Sequence, residues 1–343
     1  MIIFGREISP KFPPFIIAEI SCNHEGKIED ALNLIKDAKY AGADAVKVQC
    51  YSPDEITIDH KRYVGPQDNY EMPTEFYYDR MPWKGQHLYD LYKRTQTPPA
   101  WMPELFNYAK TINMPIFASV FGDTSLAALE AVGCEVYKIA SFEANDTNLL
   151  EKVAATGKPV IISTGAVTDK ELDRAVNTIG KNFLVMHCVS KYPTSFKEAE
   201  LTRITQFRRN YGSPIGYSDH TQGSRAAQMA VALGACIIEK HFGGSDKSAD
   251  AEFSTNKHGF RLYVDACKDA WEATQLGPIE ISGLRRSLYV VKDIKEGEKF
   301  TEEHIRSIRP GYGLDPDLLT EVLNKKAKFN LLRGTALKED MIA

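Results

Sequence analysis

The chain has 343 residues, 43% hydrophobic and 26% charged, enough for one large core and a small second domain. Its 42 Lys and Arg against 46 Asp and Glu give a formal charge of −4, which argues against a dense basic nucleic-acid surface but not against a local basic pocket. With 23 Gly and 17 Pro, collagen-like and low-complexity chains are excluded.

The longest apolar run, Met229–Ile238, is about ten residues, where a membrane span takes roughly 20. The N-terminus, Met1-Ile-Ile-Phe-Gly-Arg6, has no signal-peptide features. Six cysteines at 22, 50, 134, 188, 236 and 267 form no CxxC pair, and several lie in or beside apolar runs. Free thiols in a reducing cytoplasm are expected, with no membrane or nucleic-acid partner.

Eight short apolar runs follow in order, at 15–20, 45–49, 115–119, 136–140, 159–163, 183–188, 214–217 and 236–239. They are rich in Val, Ile and Phe and mostly unbroken, as strands buried on both faces of a parallel sheet are. The stretches between them read as helices. Ile28, Ala31, Leu32, Ile35 and Ala38 recur at helical spacing, and Thr168 with Glu171 makes a capping box. Residues 51–114 break the rhythm with an aromatic cluster from Tyr70 to Trp83 together with Pro66, Pro73 and Pro82, which predicts an elaborated loop over a barrel mouth. Gly42, Gly133, Gly157, Gly180 and Gly234 fall just past helical stretches, where a left-handed cap calls for glycine.

Eight such units predict an α/β fold, a (β/α)8 TIM barrel over 1–280. An open doubly wound sheet would call for a glycine-rich phosphate fingerprint, and no GxGxxG follows the first run. After a helix near His258–Thr274, Gly277-Pro278 and Ser282-Gly283 mark a boundary. Residues 285–343 carry short strand-like pieces and tight turns, a domain small enough to gain from docking elsewhere.

In a TIM barrel the C-terminal strand ends face the site. Here those ends carry Glu19, followed by Asn23 and His24; Lys47 and Gln49; Ser119; and Lys138, followed by Ser141 and Glu143. Next come Ser163 and Thr164; His187, followed by Ser190 and Tyr192; Ser218-Asp219-His220; and Glu239-Lys240-His241. Each has a plain reading: a lysine snorkels to the surface, a histidine holds a structural hydrogen bond, Glu239 partners a barrel lysine. Two lysines in buried runs are unusual unless paired. Lys47 and Lys138, with Ser141, Ser163 and Ser218, would make an anion pocket suited to a phosphate-bearing substrate. His220 and His241, on the last two strands, would suit a divalent transition metal such as Mn2+, with waters completing its shell.

Several segments occur in order: Ile17-Ala-Glu-Ile-Ser-Cys-Asn-His-Glu-Gly26, Ala41-Gly-Ala-Asp-Ala-Val-Lys-Val-Gln49, Tyr137-Lys-Ile-Ala-Ser141 and Ile162-Ser-Thr-Gly165. Lys191-Tyr-Pro-Thr194, Tyr217-Ser-Asp-His220 and Glu239-Lys-His-Phe242 continue the series. Together they resemble the sialic acid synthase family, the nonulosonate synthases. The C-terminal part, with Lys292-Asp-Ile-Lys-Glu-Gly297 and Arg309-Pro310, resembles that family's antifreeze-like SAF domain of β-clip type.

The resemblance implies a carbon–carbon bond-forming transferase that condenses phosphoenolpyruvate with an N-acylated amino-hexose and releases phosphate. It implies a divalent metal on His220 and His241, Mn2+ with Mg2+ or Co2+ as alternatives. It implies phosphoenolpyruvate on Lys47, Lys138, Ser141, Ser163 and Ser218, the sugar near Gln49, Glu143, Tyr192 and Asp250, and Glu19 near the reacting carbons. Ser190 stands where many members have Asn. It further implies a homodimer with exchanged C-terminal domains, Arg309 of one chain lying over the other's sugar.

Within the family, Ser141-Phe-Glu-Ala-Asn-Asp-Thr-Asn148 and Leu88-Tyr-Asp-Leu-Tyr92 resemble the pseudaminic acid synthase branch, whose sugar is 2,4-diacetamido-2,4,6-trideoxy-L-altrose. Sialic and legionaminic acid synthases are the alternatives. A non-catalytic sugar-binding protein on the same fold would have no use for Lys47, Lys138, His220 and His241 together. Against an aldolase or a synthase acting on an unmodified phosphosugar stand the appended C-terminal domain and Tyr137-Lys-Ile-Ala-Ser141. Two departures stand out. Ser119-Val-Phe-Gly122 replaces the family's Ser/Thr-Pro-Phe, so a hydroxyl near the phosphate is missing at Val120 unless Ser119 supplies it. Residues 51–86 match poorly.

Overall fold

The computed structural model describes residues 1–59, 83–212, 214–245, 247–277 and 283–343. The chain divides into two compact units, Met1–Gln275 and Leu276–Ala343. The first opens on a hairpin of β1 (Ile2–Ile3) and β2 (Arg6–Glu7). Its turn residues Phe4 and Gly5 both have positive φ, 49° and 74°, which matches the twist of a tight hairpin. Strands of two residues carry no readable periodicity, so this element was not foreseen. Arg6 pairs with Asp44 at 2.7 Å, and Asp44 accepts from the Ile16 amide at 2.8 Å, tying the hairpin to the barrel.

Eight parallel strands close the barrel: β3 (Phe15–Glu19), β4 (Ala45–Cys50), β5 (Ile116–Val120), β6 (Tyr137–Ile139), β7 (Val160–Ser163), β8 (Phe183–His187), β9 (Ile215–Asp219) and β10 (Ala235–His241). The last pairs with the first, in a register that sets His241 beside Glu19 and Glu19 beside Lys47. The helices are α1 (Ile28–Tyr40), α2 (Pro53–Ile56), α3 (Leu88–Thr95), α4 (Met102–Thr111), α5 (Asp123–Ala131), α6 (Thr147–Ala155), α7 (Asp169–Ile179), α8 (Thr202–Tyr211), α9 (Arg225–Ala232) and α10 (Lys257–Glu272). Thr168 caps α7 in the expected box, and the five glycines named above all have positive φ. The fold is the predicted (β/α)8 TIM barrel.

One expectation needs correction. The segment 51–114, read as a loop, holds α2, α3 and α4. The last is the regular helix of the second barrel unit, burying Met102, Leu105 and Ala109 at helical spacing and packing beside α1. Neighbouring prolines and aromatics hid that period. Residues 60–82, with most of the aromatic cluster, lie outside the described residues.

The second unit has its own core, including Leu288, Val290, Ile294, Phe300 and Leu337. It pairs β11 (Ser287–Val290) with β12 (Ile305–Ile308) antiparallel and adds a short helix, α11 (Leu319–Val322). Single bridges such as Ile294 to Leu331 and Lys299 to Lys326 supply further pairing. All six cysteines are free and buried. Among the described residues no helix is long and apolar enough to cross a membrane.

Candidate active site

Side chains alternate across a strand, so each run of charged residues at a strand end divides between barrel interior and scaffold. On β9 and β10, Ser218 and Glu239 meet inside the barrel, whereas Asp219 and Lys240 form a separate buried pair at 3.7 Å. Asp219 there accepts from Tyr263 of α10 at 2.9 Å and from the Thr221 amide at 2.9 Å. His187 donates through Nε2 to the Ala199 carbonyl at 2.9 Å. His24 accepts from the Gly26 amide at Nδ1 and meets Thr97 at Nε2, and burial pushes its pKa down to about 4. Asn23 donates to the Phe242 carbonyl at 3.0 Å. These groups are structural.

The inward-facing set is a closed ionic cluster. Lys47 pairs with Glu19, lies 3.8 Å from Glu239 and donates to Ser119 Oγ at 3.1 Å. Lys138 lies 3.7 Å from the other Glu239 oxygen, and Ser218 donates to Glu239 at 2.9 Å. Burial opposes charge on Lys47, but Glu19 and Glu239 outweigh it and raise its pKa. For Lys138 burial wins, because Glu239 is shared and Lys47 repels it, so its pKa is lowered. Burial also works against charge on Glu239, yet the two lysines hold it well below the usual carboxylate range.

Ser119 thus supplies a hydroxyl at Lys47, while strand alternation turns Val120 to the other face. Glu239, read from sequence only as a lysine partner, is the hub of the cluster. The Ser141 and Ser190 hydroxyls are bonded at 2.6 Å, and Ser163 Oγ is buried with no partner among the described residues. Gly165 lets these segments close, since a Cβ there would sit 2.8 Å from the Ser190 amide nitrogen.

His220 and His241 face each other with ring centroids 5.5 Å apart. His220 donates from Nδ1 to the Val189 carbonyl at 2.8 Å, which leaves the lone pair on Nε2. Burial, reinforced by His241, pushes the His220 pKa down to about 3, so the ring is neutral, the form that binds metals. His241 Nδ1 is buried without a hydrogen-bond partner among the described residues, 3.3 Å from Asp250 Oδ2. A neutral His220 with its lone pair on Nε2, facing the His241 ring, fits a divalent ion. No group of three His, Cys, Asp or Glu converges among the described residues, so water or substrate would complete the shell.

A cavity of about 400 Å3 adjoins the pair, and Gln49, Glu143, Tyr192, His241 and Asp250 all line it. Tyr192 packs on His220 with centroids 4.3 Å apart, and Trp83, unforeseen as a site residue, packs on Tyr192 at 5.6 Å. The carboxyl end of Glu143 is enclosed, its Oε2 has no hydrogen-bond partner among the described residues, and burial pushes its pKa up to about 7. Glu19, Lys47, Lys138 and Ser218 belong to the ionic cluster rather than to this cavity wall. Arg309 is exposed on the second unit, just after β12.

Comparison with known proteins gives the same picture. The NeuB family matches residues 34–277 and the SAF domain residues 285–343. The pseudaminic acid synthase of Campylobacter jejuni is 38% identical over 338 residues, covering 95% of each chain. The N,N'-diacetyllegionaminic acid synthase of the same species is 30% identical, covering 94% of this chain and 98% of that one. The crystal structure of an N-acetylneuraminic acid synthetase from Leptospira borgpetersenii, in complex with citrate, superposes with a TM-score of 0.71 at 29% identity, covering 82% of this chain and 92% of that one. With its barrel, its strand-end cluster and its C-terminal SAF domain, the chain belongs to the NeuB family.

Proposed function

We propose that the chain is a sugar-acid synthase that joins phosphoenolpyruvate to an N-acylated amino-hexose and releases phosphate, with 2,4-diacetamido-2,4,6-trideoxy-L-altrose as its sugar. The observation that carries this reading is the enclosed Lys47–Glu239–Lys138 cluster beside a cavity lined by a facing imidazole and two carboxylates. The higher identity to a pseudaminic than to a legionaminic acid synthase supports the choice of sugar.

Lys47, Lys138, Ser218 and the unspent hydroxyl of Ser163 bind the anionic groups of phosphoenolpyruvate, and the Ser141–Ser190 pair adds two more hydroxyls. Gln49, Glu143, Tyr192 and Asp250 hold the sugar with its aldehyde toward His241. Phosphoenolpyruvate C3 forms the new bond to the aldehyde carbon, and the aldehyde oxygen takes up a proton. Water adds at C2, losing one proton toward Glu19, and the C2 hydroxyl gives its other proton to the departing phosphate oxygen as the C2–O bond breaks with its electron pair leaving on phosphate and the C2 carbonyl forms. The two lysines stabilise that leaving charge. A divalent metal held by His220 and His241 supplies Lewis-acid polarisation of the aldehyde when bound, and the imidazole donors favour Mn2+ over Mg2+. The same reading carries a cytoplasmic homodimer in which Arg309 of one copy reaches the sugar of the other.

The test is phosphate release from phosphoenolpyruvate against a panel of amino-sugars. The diacetamido-trideoxy sugar should be turned over faster than N-acetylmannosamine, chelation should stop turnover, and Mn2+ should restore it. Better turnover of N-acetylmannosamine removes the choice of sugar. No release with any amino-sugar removes the synthase reading.

A further inference from the structure

The register between β9 and β10 ends at Asp219 and Lys240, one residue short of each of the two facing histidines. Beyond that point a side chain carries the connection. Lys240, the residue before His241, donates through Nζ to the Asp219 carbonyl at 3.3 Å and to the Thr221 carbonyl. These two carbonyls flank His220 in the chain. One lysine thus ties the backbone on both sides of the first histidine to the strand that carries the second.

Asp219 completes the grip. Its Oδ1 accepts from the Thr221 amide at 2.9 Å and from the Thr221 hydroxyl at 2.7 Å. Its Oδ2 accepts from Tyr263 of α10 at 2.9 Å and lies 3.7 Å from Lys240 Nζ. Both peptide groups joined to His220 are therefore held, and the His220 carbonyl itself accepts from the Thr194 amide at 2.9 Å. Asp219, Lys240, Thr221 and Tyr263 are each no more than 2% exposed. Stability alone does not call for two charges there, since apolar replacements of a buried ion pair are often as stable or more so. An apolar pair could not fix carbonyls and amides in place, which takes directional hydrogen bonds.

We infer that Lys240, Asp219 and Tyr263, packed between the barrel strands and α10, are positioning residues that set His220 against His241 so that both rings serve one divalent ion. The inference rests on the metal proposed above and is independent of which sugar is used. None of the three touches the ion; they act through the backbone on either side of His220 and next to His241. Ligands of a metal site have to be held to within about 0.5 Å. Groups that orient them from behind commonly account for about 10–100-fold in metal affinity.

The experiment titrates Mn2+ into the metal-stripped full chain, with free ion read by electron paramagnetic resonance, and measures phosphoenolpyruvate binding by calorimetry without metal. Lys240→Met keeps the length of the side chain and removes its donors. It should raise the Kd for Mn2+ by about 10–100-fold and leave phosphoenolpyruvate affinity unchanged. Tyr263→Phe removes one bond to Asp219 and leaves both charges. It should shift the Mn2+ Kd the same way by less, and it decides the question if Lys240→Met does not fold. Arg6→Ala breaks the Arg6–Asp44 pair, which lies just before β4, and should leave Mn2+ affinity as it is. An unchanged Mn2+ Kd in the folded variant overturns the inference and leaves the synthase reading standing. So does an equal loss of phosphoenolpyruvate affinity, or an equal loss of Mn2+ affinity in Arg6→Ala. Unaltered protein that binds no Mn2+ removes the proposed metal, and this inference with it.

Discussion

Burial lifts the Glu143 carboxyl to about 7, and one of its oxygens is buried with no hydrogen-bond partner among the described residues. Its raised pKa sets the sign of two effects. Between about 4.5, the unfolded value, and about 7, the native state binds the extra proton, so this group makes stability fall as pH rises through that window. Glu143→Gln should flatten that fall, read by urea denaturation at pH 5 and pH 8 in both proteins. It should also remove an inflection near pH 7 from kcat/KM for the amino-sugar; an inflection kept in the variant would assign it to another group. The two lysines differ in a similarly readable way. Lys47→Met strands Glu19 and leaves Glu239 with only Lys138, whereas Lys138→Met leaves Glu239 with Lys47. Both should lose phosphoenolpyruvate affinity, but Lys47→Met should also lose about 3–5 kcal/mol of stability, the usual cost of an unpaired buried charge. Chemical denaturation of both variants checks the order, and Glu19→Gln added to Lys47→Met should recover part of the loss.

At the scale of elements, the four-residue α2 could not stand alone and is held by its Glu55, which accepts from the Ser125 amide at 2.8 Å and from Ser125 Oγ at 3.0 Å at the start of α5. Gly122 makes that contact possible. A Cβ there would lie 2.7 Å from Glu55 Oε1 and 3.1 Å from its Cγ, so the carboxylate would have to leave both Ser125 hydrogen bonds. Gly122→Ala should therefore cost about 0.5–2 kcal/mol, as loss of a helix cap does, and should raise KM for the sugar more than for phosphoenolpyruvate. Equal changes in the two KM values would mean that the cavity wall, to which Ile56 of α2 contributes, does not depend on this anchor. Ser119 serves Lys47, and Gly122 makes room for Glu55.

At the scale of the whole molecule, the C-terminal unit has a small core of its own and carries Arg309 exposed, without an ion pair among the described residues. An arginine kept free in this way suits a role in a second copy, where its planar fork can meet sugar oxygens. Mixing an Arg309→Ala chain with a Lys47→Met chain should return part of the activity lost in each, because one site of the mixed dimer carries neither defect. Sedimentation should report a dimer. Proven subunit exchange without returned activity, or an active monomer, would overturn the trans-acting arginine.

The eight strands, the order of their helices and the set of charged strand ends were legible in the sequence because each rests on local pattern. A short unbroken apolar run marks a strand buried on both faces, period 3.6 a helix, and a positive-φ glycine ends it. The two buried lysines and the facing histidines were legible for the same reason, since a charge inside an apolar run stands out. The hairpin at the N-terminus was too short to show a period, and α4 was masked by its surroundings. Partner choice came only with the tertiary structure. Glu239 meets Lys47 because β10 closes on β3, a contact set by barrel closure rather than by any spacing along the chain. The same holds for Glu55 on Ser125, 70 residues apart, and for Tyr51, which donates to Thr95 Oγ1, 44 residues away. A side chain's periodicity tells which way it faces, but what it faces is decided by the elements that closure brings against it.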